Sequence, residues 1–389
     1  MISREALSEL ASLEASDHSA LTFYFQPTPP RDRSHRDEAI LIRDMVRNVQ
    51  RDAGRGRGAR AGRDDLERIA ALADGLDGNH SRGKAIFACQ ARGFWREYDL
   101  PPLLGHTALS VNRRFHLRPL AALLAEPRCC VALTDRKHAR LFDVWMDEAR
   151  QVDTVTDEIP RAGRSDGFAG YEAGHAQRHI DNFAMRHYQN VGERLLKRYA
   201  GGSGYDRLLI ACHDELRSEI EPHLHTYLRE ILLGYCTLDV ATATLDEVRA
   251  QASRLLRPAL VADRRRLVRE ALGEARRNGR GAVGLRHVLT AIERGEVQTV
   301  LLSDRLEATV VECANCGHLD TRVVPDCAVC GRSTQEIDDV ADALIGHALR
   351  NRAGVVYVTG YTEFEHAGAV GALLRFRADQ NTELKKEAS

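Results

Sequence analysis

The fold is decided by residues 295–331, which read GEVQTVLLSDRLEATVVECANCGHLDTRVVPDCAVCG. The run opens with an apolar, β-branched segment, Val297–Leu302, which follows a short helical segment ending at Gly295. This pattern predicts a buried strand. Two Cys-x-x-Cys-Gly segments follow, one at Cys313 and Cys316 and one at Cys327 and Cys330. The stretch therefore joins a core strand to a cysteine module.

The cysteine module has the spacing of a structural metal site. Each Cys-x-x-Cys turn points two thiolates inward, and the glycine after it relieves the turn sterically. Four thiolates from two such turns form a closed tetrahedral site, which is how structural zinc is held. We predict a zinc ribbon over residues 311–332, with zinc bound by Cys313, Cys316, Cys327 and Cys330. The alternatives are a ribbon without metal or cysteines paired as disulfides. Four cysteines leave no position open for a catalytic water.

Composition sets the class of protein. A chain of 389 residues is too long for one ordinary core, and 43% hydrophobic and 29% charged residues are typical of a soluble globular protein. The sequence contains no apolar run of the roughly 18 residues that a membrane span requires, and its start has no signal-peptide core. We therefore expect a cytoplasmic protein without a membrane partner. The formal net charge of -1 does not by itself indicate nucleic-acid binding.

Alternating strands and helices indicate an α/β protein with three units. We predict an N-terminal α/β domain over residues 1–120, a central α/β domain over residues 125–255 and a C-terminal α/β/α domain over residues 256–380. In the central domain, a glycine-rich loop over residues 161–174 precedes a long basic helix, and further helices are expected over residues 220–232 and 245–256. A separate arginine-rich helix is expected over residues 259–280.

Residues 282–302 and 313–330 resemble the C-terminal domain of archaeal and eukaryotic class-1 peptide-chain release factors and their relative Pelota. In that family, a helix ending near a glycine precedes a strand, and archaeal members insert a zinc ribbon after it. Residues 363–376 resemble the closing helix, turn and strand of the same domain. The chain is identified as a member of the bacterial branch of that family. The resemblance implies a three-domain architecture with the zinc ribbon inserted in the C-terminal sandwich.

The glycine-rich loop corresponds to the catalytic tip of the release factors. They carry Gly-Gly-Gln there, whereas this chain reads Ala-Gly-His-Ala-Gln-Arg-His at residues 173–179. Gly174 and Arg178 fit the pattern, but the first glycine and the glutamine are missing. His175 is a possible general base near neutral pH, so Gly174 and His175 are the candidate tip residues. Because Ala173 breaks the glycine-permissive backbone, we expect a tip that binds RNA or fills space rather than an enzyme.

Two groups of basic residues are candidates for RNA binding. Release factors read stop codons with an Asn-Ile-Lys-Ser loop in the first domain. The matching place holds arginines between glycines, so stop-codon reading is not expected. A flexible arginine loop can grip RNA phosphates, and so can the basic face of the long helix. The candidates are Arg55, Arg57, Arg60, Arg63, Arg178, Arg186, Arg194 and Lys197.

Both groups have a simpler alternative, which is a solvated surface in a chain rich in arginine. The histidines of the long helix, His175, His179 and His187, are not predicted to form a metal site. No carboxylate lies at the spacing that helical zinc sites use.

The resemblance implies a ribosome-associated translation factor that enters the A site as a tRNA mimic. Such a factor would rescue stalled ribosomes or protect idle, hibernating ones. The expected partners are the 70S ribosome with its rRNA and a translational GTPase, which must be a separate protein because the chain has no P-loop. We expect a monomer. Two alternatives stay open: a peptidyl-tRNA hydrolase acting through the tip, and an RNA-binding or scaffold protein that no longer acts on the ribosome.

Overall fold

The computed structural model describes most of the chain. The described residues are 4–15, 19–27, 35–54, 62–72, 83–100, 107–146, 148–157, 171–201, 205–313, 315–337 and 339–376. The helices within them are α1 (Arg4–Ser12), α2 (His35–Gly54), α3 (Arg63–Leu72), α4 (Arg118–Leu124), α5 (Tyr171–Ala200), α6 (Arg217–Ile220), α7 (Thr226–Glu230), α8 (Leu245–Arg276), α9 (Leu285–Glu293), α10 (Val340–Arg350) and α11 (Thr362–His366).

The strands form four sheets within the described residues. They are β1 (Ala20–Phe25), β2 (Gly83–Cys89), β3 (Phe94–Leu100), β4 (Ala108–Asn112), β5 (Cys129–Thr134), β6 (His138–Trp145), β7 (Glu148–Thr156), β8 (Arg207–Ala211), β9 (Leu232–Cys236), β10 (Gly281–Val283), β11 (Val297–Leu302), β12 (Val310–Cys313), β13 (Leu319–Asp320), β14 (Thr334–Ile337), β15 (Gly354–Tyr357) and β16 (Val370–Leu374). The predicted mixed α/β class is confirmed.

Internal contacts divide the chain into two compact units. The split unit combines Met1–Ala125 with Arg264–Ser389, and the central unit is Glu126–Asp263. The division into three domains stays a prediction.

The N-terminal part of the split unit is an antiparallel sheet in the order β3-β2-β1-β4. Its strands alternate side chains between two faces, and one face is covered by α2 and α3. Phe23 of β1 packs there in one cluster with Ile42 of α2 and Ile69 of α3. The other face carries an aromatic cluster, in which Phe87 lies edge-on to Phe115 with 5.3 Å between ring centroids. Both faces of the inner strands β1 and β2 are therefore buried, whereas the edge strands β3 and β4 are partly exposed.

The C-terminal part of the split unit is a mixed sheet in the order β10-β16-β11-β15. β11 has the bounds predicted for it, and it pairs parallel with β15 and antiparallel with β16. Leu301 packs on one face with Leu272 of α8 and Phe364 of α11. Val300 and Leu302 alternate with Leu301 and are also fully buried, so both faces of the strand are covered.

A shared carboxylate joins the two parts of the split unit. Oδ1 of Asp342, on α10, accepts hydrogen bonds from the backbone N–H groups of Leu117 and Arg118 at 2.8 Å each. It thereby caps the start of α4, where the first N–H groups of a helix lack intrahelical partners. The same carboxylate lies 3.2 Å from Nδ1 of His116. Residues more than two hundred positions apart in sequence thus stabilise one another.

The central unit is a five-stranded sheet in the order β7-β6-β5-β8-β9. β5, β8 and β9 are parallel, whereas β6 and β7 form antiparallel pairs at one side. The helix α5 covers one face through Ala184, Tyr188, Val191 and Leu195, which recur at helical spacing. The first part of α8 covers the other face through Val248 and Ala252.

Two expectations about helices are wrong. Residues 220–232 do not form one helix, since α6 and α7 are separated by a 3-10 turn that contains Pro222, and Leu232 already belongs to β9. The helices expected over residues 245–256 and 259–280 are one helix, α8, which continues through Pro258. Within the described residues, no helix combines the length and the apolar character needed to cross a membrane.

Candidate functional site

The four predicted metal ligands lie together in the split unit. Cys313 ends β12, and the three-stranded sheet β13-β12-β14 brings the second knuckle back beside the first. The Sγ atoms of Cys313 and Cys330 are 3.4 Å apart, those of Cys316 and Cys327 are 3.6 Å apart, and all four lie within 4.8 Å of one another. A tetrahedral site with metal–sulfur bonds of about 2.3 Å separates its sulfurs by roughly 3.8 Å. The cluster could therefore hold a metal ion.

Both knuckles have the backbone that a thiolate site needs. The N–H groups of Asn315 and Cys316 point at Sγ of Cys313, at 3.4 and 3.5 Å, and the Val329 N–H points at Sγ of Cys327 at 3.4 Å. The N–H of Cys316 and, to a smaller extent, that of Asn315 lower the pKa of Cys313 to about 6 against the opposing effect of burial. Deprotonated thiolates are the metal-binding form.

The glycines that follow the knuckles are needed for their turns. Gly317 and Gly331 have φ values of 72° and 67°, the left-handed region that other residues rarely adopt. Each donates its N–H to the carbonyl of the first cysteine of its knuckle, at 3.1 Å to Cys313 and 2.9 Å to Cys327. The repeated Cys-x-x-Cys-Gly sequence thus corresponds to two turns of the same geometry.

The candidate tip lies at the start of α5. This helix begins at Tyr171, so the predicted loop over residues 161–174 ends earlier than expected, and Gly174 and His175 have helical backbone. The remainder of that loop lies outside the described residues. A position inside a helix lacks the permissive loop backbone that the resemblance implies for a catalytic tip.

The third histidine of α5 belongs to a buried polar network that the sequence did not reveal. His187 is fully buried, with its Nδ1 2.6 Å from Oδ2 of Asp157 and its Nε2 3.4 Å from Oγ1 of Thr134. Nδ2 of Asn190 also donates to the Asp157 carboxylate, at 3.3 Å. Asp157 directly follows β7, so the network fastens the end of that strand to α5. His187 therefore faces Asp157 and Thr134.

A second set of contacts extends this network toward α6. Glu219 accepts hydrogen bonds from Arg136 at 2.6 Å and from the hydroxyl of Tyr188 at 3.3 Å. Burial and the Glu219 carboxylate raise the pKa of Tyr188, which keeps its hydroxyl protonated as the donor. Adjacent residues of α5, His187 and Tyr188, therefore bind two different acids. Asp157 precedes α5 and Glu219 follows it, so no local spacing in the sequence relates these acids to α5.

The predicted RNA-binding residues have different surroundings. Arg55, Arg57 and Arg60 lie outside the described residues, and Arg178 lies within α5. Arg63 begins α3 and pairs with Glu67 at 3.1 Å, and Arg194 pairs with Asp153 at 3.1 Å. Arg186 and Lys197 are exposed on α5, and Arg186 lies over the ring of Phe183. The structure therefore leaves Arg186 and Lys197 as the described candidates without an acidic partner.

Two sequence comparisons relate the chain to known proteins. Residues 116–257 match the family model of the Bacterial archaeo-eukaryotic release factor family 10. Peptide chain release factor subunit 1 of Methanocaldococcus jannaschii is 23% identical over 311 residues, which are 69% of this chain and 71% of that protein. The predicted resemblance to the bacterial branch of the release-factor family is confirmed over residues 116–257.

Solved structures of the same group are also similar. The crystal structure of the archaeal translation termination factor aRF1 is 18% identical, and the match covers 96% of this chain and 99% of that chain with a TM-score of 0.25. A model of ribosome-bound archaeal Pelota and ABCE1 is 14% identical, and the match covers 76% of this chain and 78% of that chain with a TM-score of 0.41.

Proposed function

Because residues 116–257 match the model of the bacterial archaeo-eukaryotic release factor family 10, we propose that the chain is a ribosome-associated translation factor. It binds the A site of the 70S ribosome as a tRNA mimic. The observation that carries the proposal is the family match over the central unit, supported by the 311-residue similarity to an archaeal release factor. The role of the bound factor is to rescue stalled ribosomes or to protect idle ones.

Termination at stop codons is not part of the proposal. The segment that corresponds to the codon-reading loop contains Arg55, Arg57 and Arg60 between glycines and lacks the Asn-Ile-Lys-Ser sequence. The segment that corresponds to the catalytic tip lacks the Gly-Gly-Gln sequence, and its candidate residues Gly174 and His175 have helical backbone. A factor without both elements can still occupy the A site, since occupancy depends on shape and on backbone contacts to RNA.

The metal of the proposed factor is zinc, held by the four-cysteine cluster in a structural role. Four thiolates favour zinc or an iron–sulfur cluster, and the two-knuckle ribbon is typical of zinc. The metal would fold the ribbon and hold the three-stranded sheet together.

RNA contacts of the proposed factor include Arg186, Lys197 and Arg178 on α5, with Arg55, Arg57, Arg60 and Arg63 in and after the arginine-rich segment. Arg194 contributes less, since Asp153 already neutralises it. Contacts of this kind bind phosphates and weaken as salt rises. A translational GTPase, encoded separately, is the proposed delivery partner.

Co-sedimentation with purified 70S ribosomes tests the proposal. We expect the chain to pellet with empty ribosomes and to be displaced by a tRNA bound in the A site. The double variant Arg186→Gln/Lys197→Gln should bind more weakly and with a smaller salt dependence, reduced by about one unit of log–log slope per lost contact. Arg150→Gln is the matched control, since Arg150 is exposed on β7 and is not assigned to RNA. Absence from the ribosomal fraction at low salt would overturn the proposal.

The hydrolytic alternative is tested with ribosomes that carry peptidyl-tRNA. Survival of the nascent chain in the presence of the bound factor is expected. If the parent protein releases the nascent chain and the His175→Ala variant does not, the tip is catalytic instead.

A further inference from the structure

Between β5 and β8 in the central sheet, the strand order reverses: the chain continues from these two neighbouring strands toward opposite edges of the sheet. β5 continues into β6 on one side, whereas β8, its other neighbour, is followed by β9 on the far side. β5 and β8 are parallel, so their carboxyl ends meet at the same edge of the sheet. In open α/β sheets, ligands bind in the crevice outside the carboxyl ends of strands where the strand order reverses.

A cavity of about 370 Å³ lies at this edge. Its walls come from the turn that follows β5 and from the segment that follows β8. The lining residues are Asp135, Arg136, Lys137, His213, Glu215 and Leu216. Small-molecule sites have volumes of roughly 300–1,000 Å³, so the cavity, which we call the switch-point crevice, has room for one small ligand.

Two of the nearby acids already have hydrogen-bond donors. Oδ1 of Asp135 accepts the N–H groups of Lys137 and His138 at 2.7 Å each, which forms the turn between β5 and β6. Glu219, which lies behind Arg136, is bound by that arginine and by Tyr188. These carboxylates are satisfied, and the crevice is therefore not organised to bind a cation.

Unlike these carboxylates, several hydrogen-bond donors of the crevice have no partner among the described residues. Within the described part of the chain, the amine of Lys137 and the ring of His213 are exposed and have no hydrogen-bond partner. Nε of Arg136 is buried and also has no partner. Three basic side chains with unused donors at one cavity favour an anion, and phosphate is an anion that both arginine and lysine bind in proteins. Glu215 adds one exposed carboxylate that can accept from a hydroxyl group.

The walls of the crevice are held in place before any ligand binds. The backbone N–H of Asp157 donates to the carbonyl of Lys137 at 2.9 Å, and His187 connects Asp157 to Thr134 at the end of β5. Arg136 is fixed by its 2.6 Å bond to Glu219. A site that is already ordered loses less conformational entropy on binding.

We propose that the switch-point crevice binds a phosphorylated ribonucleotide, either free or as one residue of an RNA. The phosphate contacts Lys137, Arg136 and His213, and a ribose hydroxyl donates to Glu215. Binding at the crevice goes beyond the proposed ribosomal function and does not depend on it, because a free nucleotide would bind even if the chain never met a ribosome.

Isothermal titration of the full chain tests this site with 5′-AMP, adenosine, 2′-deoxy-AMP and a short 5′-phosphorylated oligoribonucleotide. We expect 5′-AMP to bind at least tenfold more tightly than adenosine, and inorganic phosphate to compete with it. Lys137→Gln should weaken 5′-AMP about tenfold and leave adenosine unchanged. Glu215→Gln should remove the preference for 5′-AMP over 2′-deoxy-AMP.

The controls separate the site from general charge effects and from misfolding. Arg150→Gln removes an exposed arginine of β7 and should not change binding. Lys137 and Glu215 are exposed, so both variants should keep the unfolding temperature of the parent. Binding of the mononucleotide alone identifies a free nucleotide as the ligand, and binding of the oligonucleotide alone identifies RNA. No binding of either near 1 mM, or equal binding by Lys137→Gln, would overturn the proposal.

Discussion

The cysteine cluster and the His187 network both consist of side chains in close contact, but different features of the chain bring them together. All four cysteines lie between Cys313 and Cys330, and two turns with a hairpin bring them together. The His187 network joins Thr134, Asp157 and His187, which come from β5, the end of β7 and α5. The first site follows from local spacing and the second only from the tertiary fold. The difference predicts how each site responds to mutation.

The largest effect is expected from loss of one metal ligand. Cys313→Ser should abolish zinc binding and unfold the ribbon, because structural zinc contributes about 10–16 kcal/mol to folding in small zinc modules. Metal analysis should find one zinc per parent chain and none in the variant, and a chelator should reproduce the loss of ribbon structure in the parent. Cys129→Ala, at a buried cysteine outside the cluster, should keep the metal. A Cys313→Ser protein that retains one zinc would contradict the assignment.

A smaller effect is expected from the His187 network. His187→Leu removes the 2.6 Å hydrogen bond to the charged Asp157 carboxylate and the contact with Thr134, while Asn190 still donates to Asp157 and the Thr134 hydroxyl still donates to the Asp135 carbonyl. Because hydrogen bonds to charged groups are the stronger ones, unfolding should require about 2–3 kcal/mol less. His187→Asn can still donate to Asp157 and should lose less. Urea denaturation monitored by circular dichroism measures both variants. Equal losses for the two would mean that packing of the ring, rather than the bond to Asp157, accounts for the effect.

The contact between His116 and Asp342 joins the two parts of the split unit, and its contribution to stability should depend on pH. Burial and the charge of Arg118 lower the pKa of His116, but the hydrogen bond and charge of Asp342 and the charge of Asp339 outweigh them. The pKa of His116 is therefore raised. A raised pKa in the folded state stabilises the protein below the unfolded pKa of about 6.5 and loses this contribution as pH rises through the folded pKa. His116→Gln should therefore lower the melting temperature more at pH 5.5 than at pH 8.5. The same loss at both pH values would show that the imidazolium charge is not involved.

The smallest effect is expected at the exposed pair of Arg194 and Asp153. Arg194→Ala removes a 3.1 Å ion pair whose arginine is 46% exposed, and such pairs contribute within about 0.5 kcal/mol. Thermal unfolding should hardly change. A loss above 1 kcal/mol would mean that α5 depends on this surface pair as well as on its buried face.

The same contrast explains what the sequence could predict. β11 has the predicted bounds because a short β-branched run after a glycine is a strong local signal. The cysteine ligands were predicted because their spacing alone brings them together. His187 could not be assigned, since its partners Thr134 and Asp157 are defined only by strand pairing and by the packing of α5. Helical spacing indicates the face of α5 on which His187 lies, but it does not identify the residues that this face contacts.

Pro258 shows where a local rule fails. Proline inside a helix costs about 3 kcal/mol, and Pro258 lies between the two helices expected over residues 245–256 and 259–280. α8 continues because packed stretches lie on both sides of Pro258: Val248 and Ala252 in the central unit, and Val268 and Ala271 in the split unit. The reverse error occurred over residues 220–232, where Leu232 pairs with Leu208 in β8 and so joins a strand. In both places, tertiary contacts outweigh the intrinsic preference of the segment.

The central claim is that the chain occupies the ribosomal A site. Cryo-electron microscopy of the purified chain with 70S ribosomes, empty and carrying peptidyl-tRNA, tests it most directly. The account predicts density in the A site, with the start of α5 toward the peptidyl-transferase centre and the nascent chain intact. Ribosomes without additional density, or density outside the A site, would contradict it.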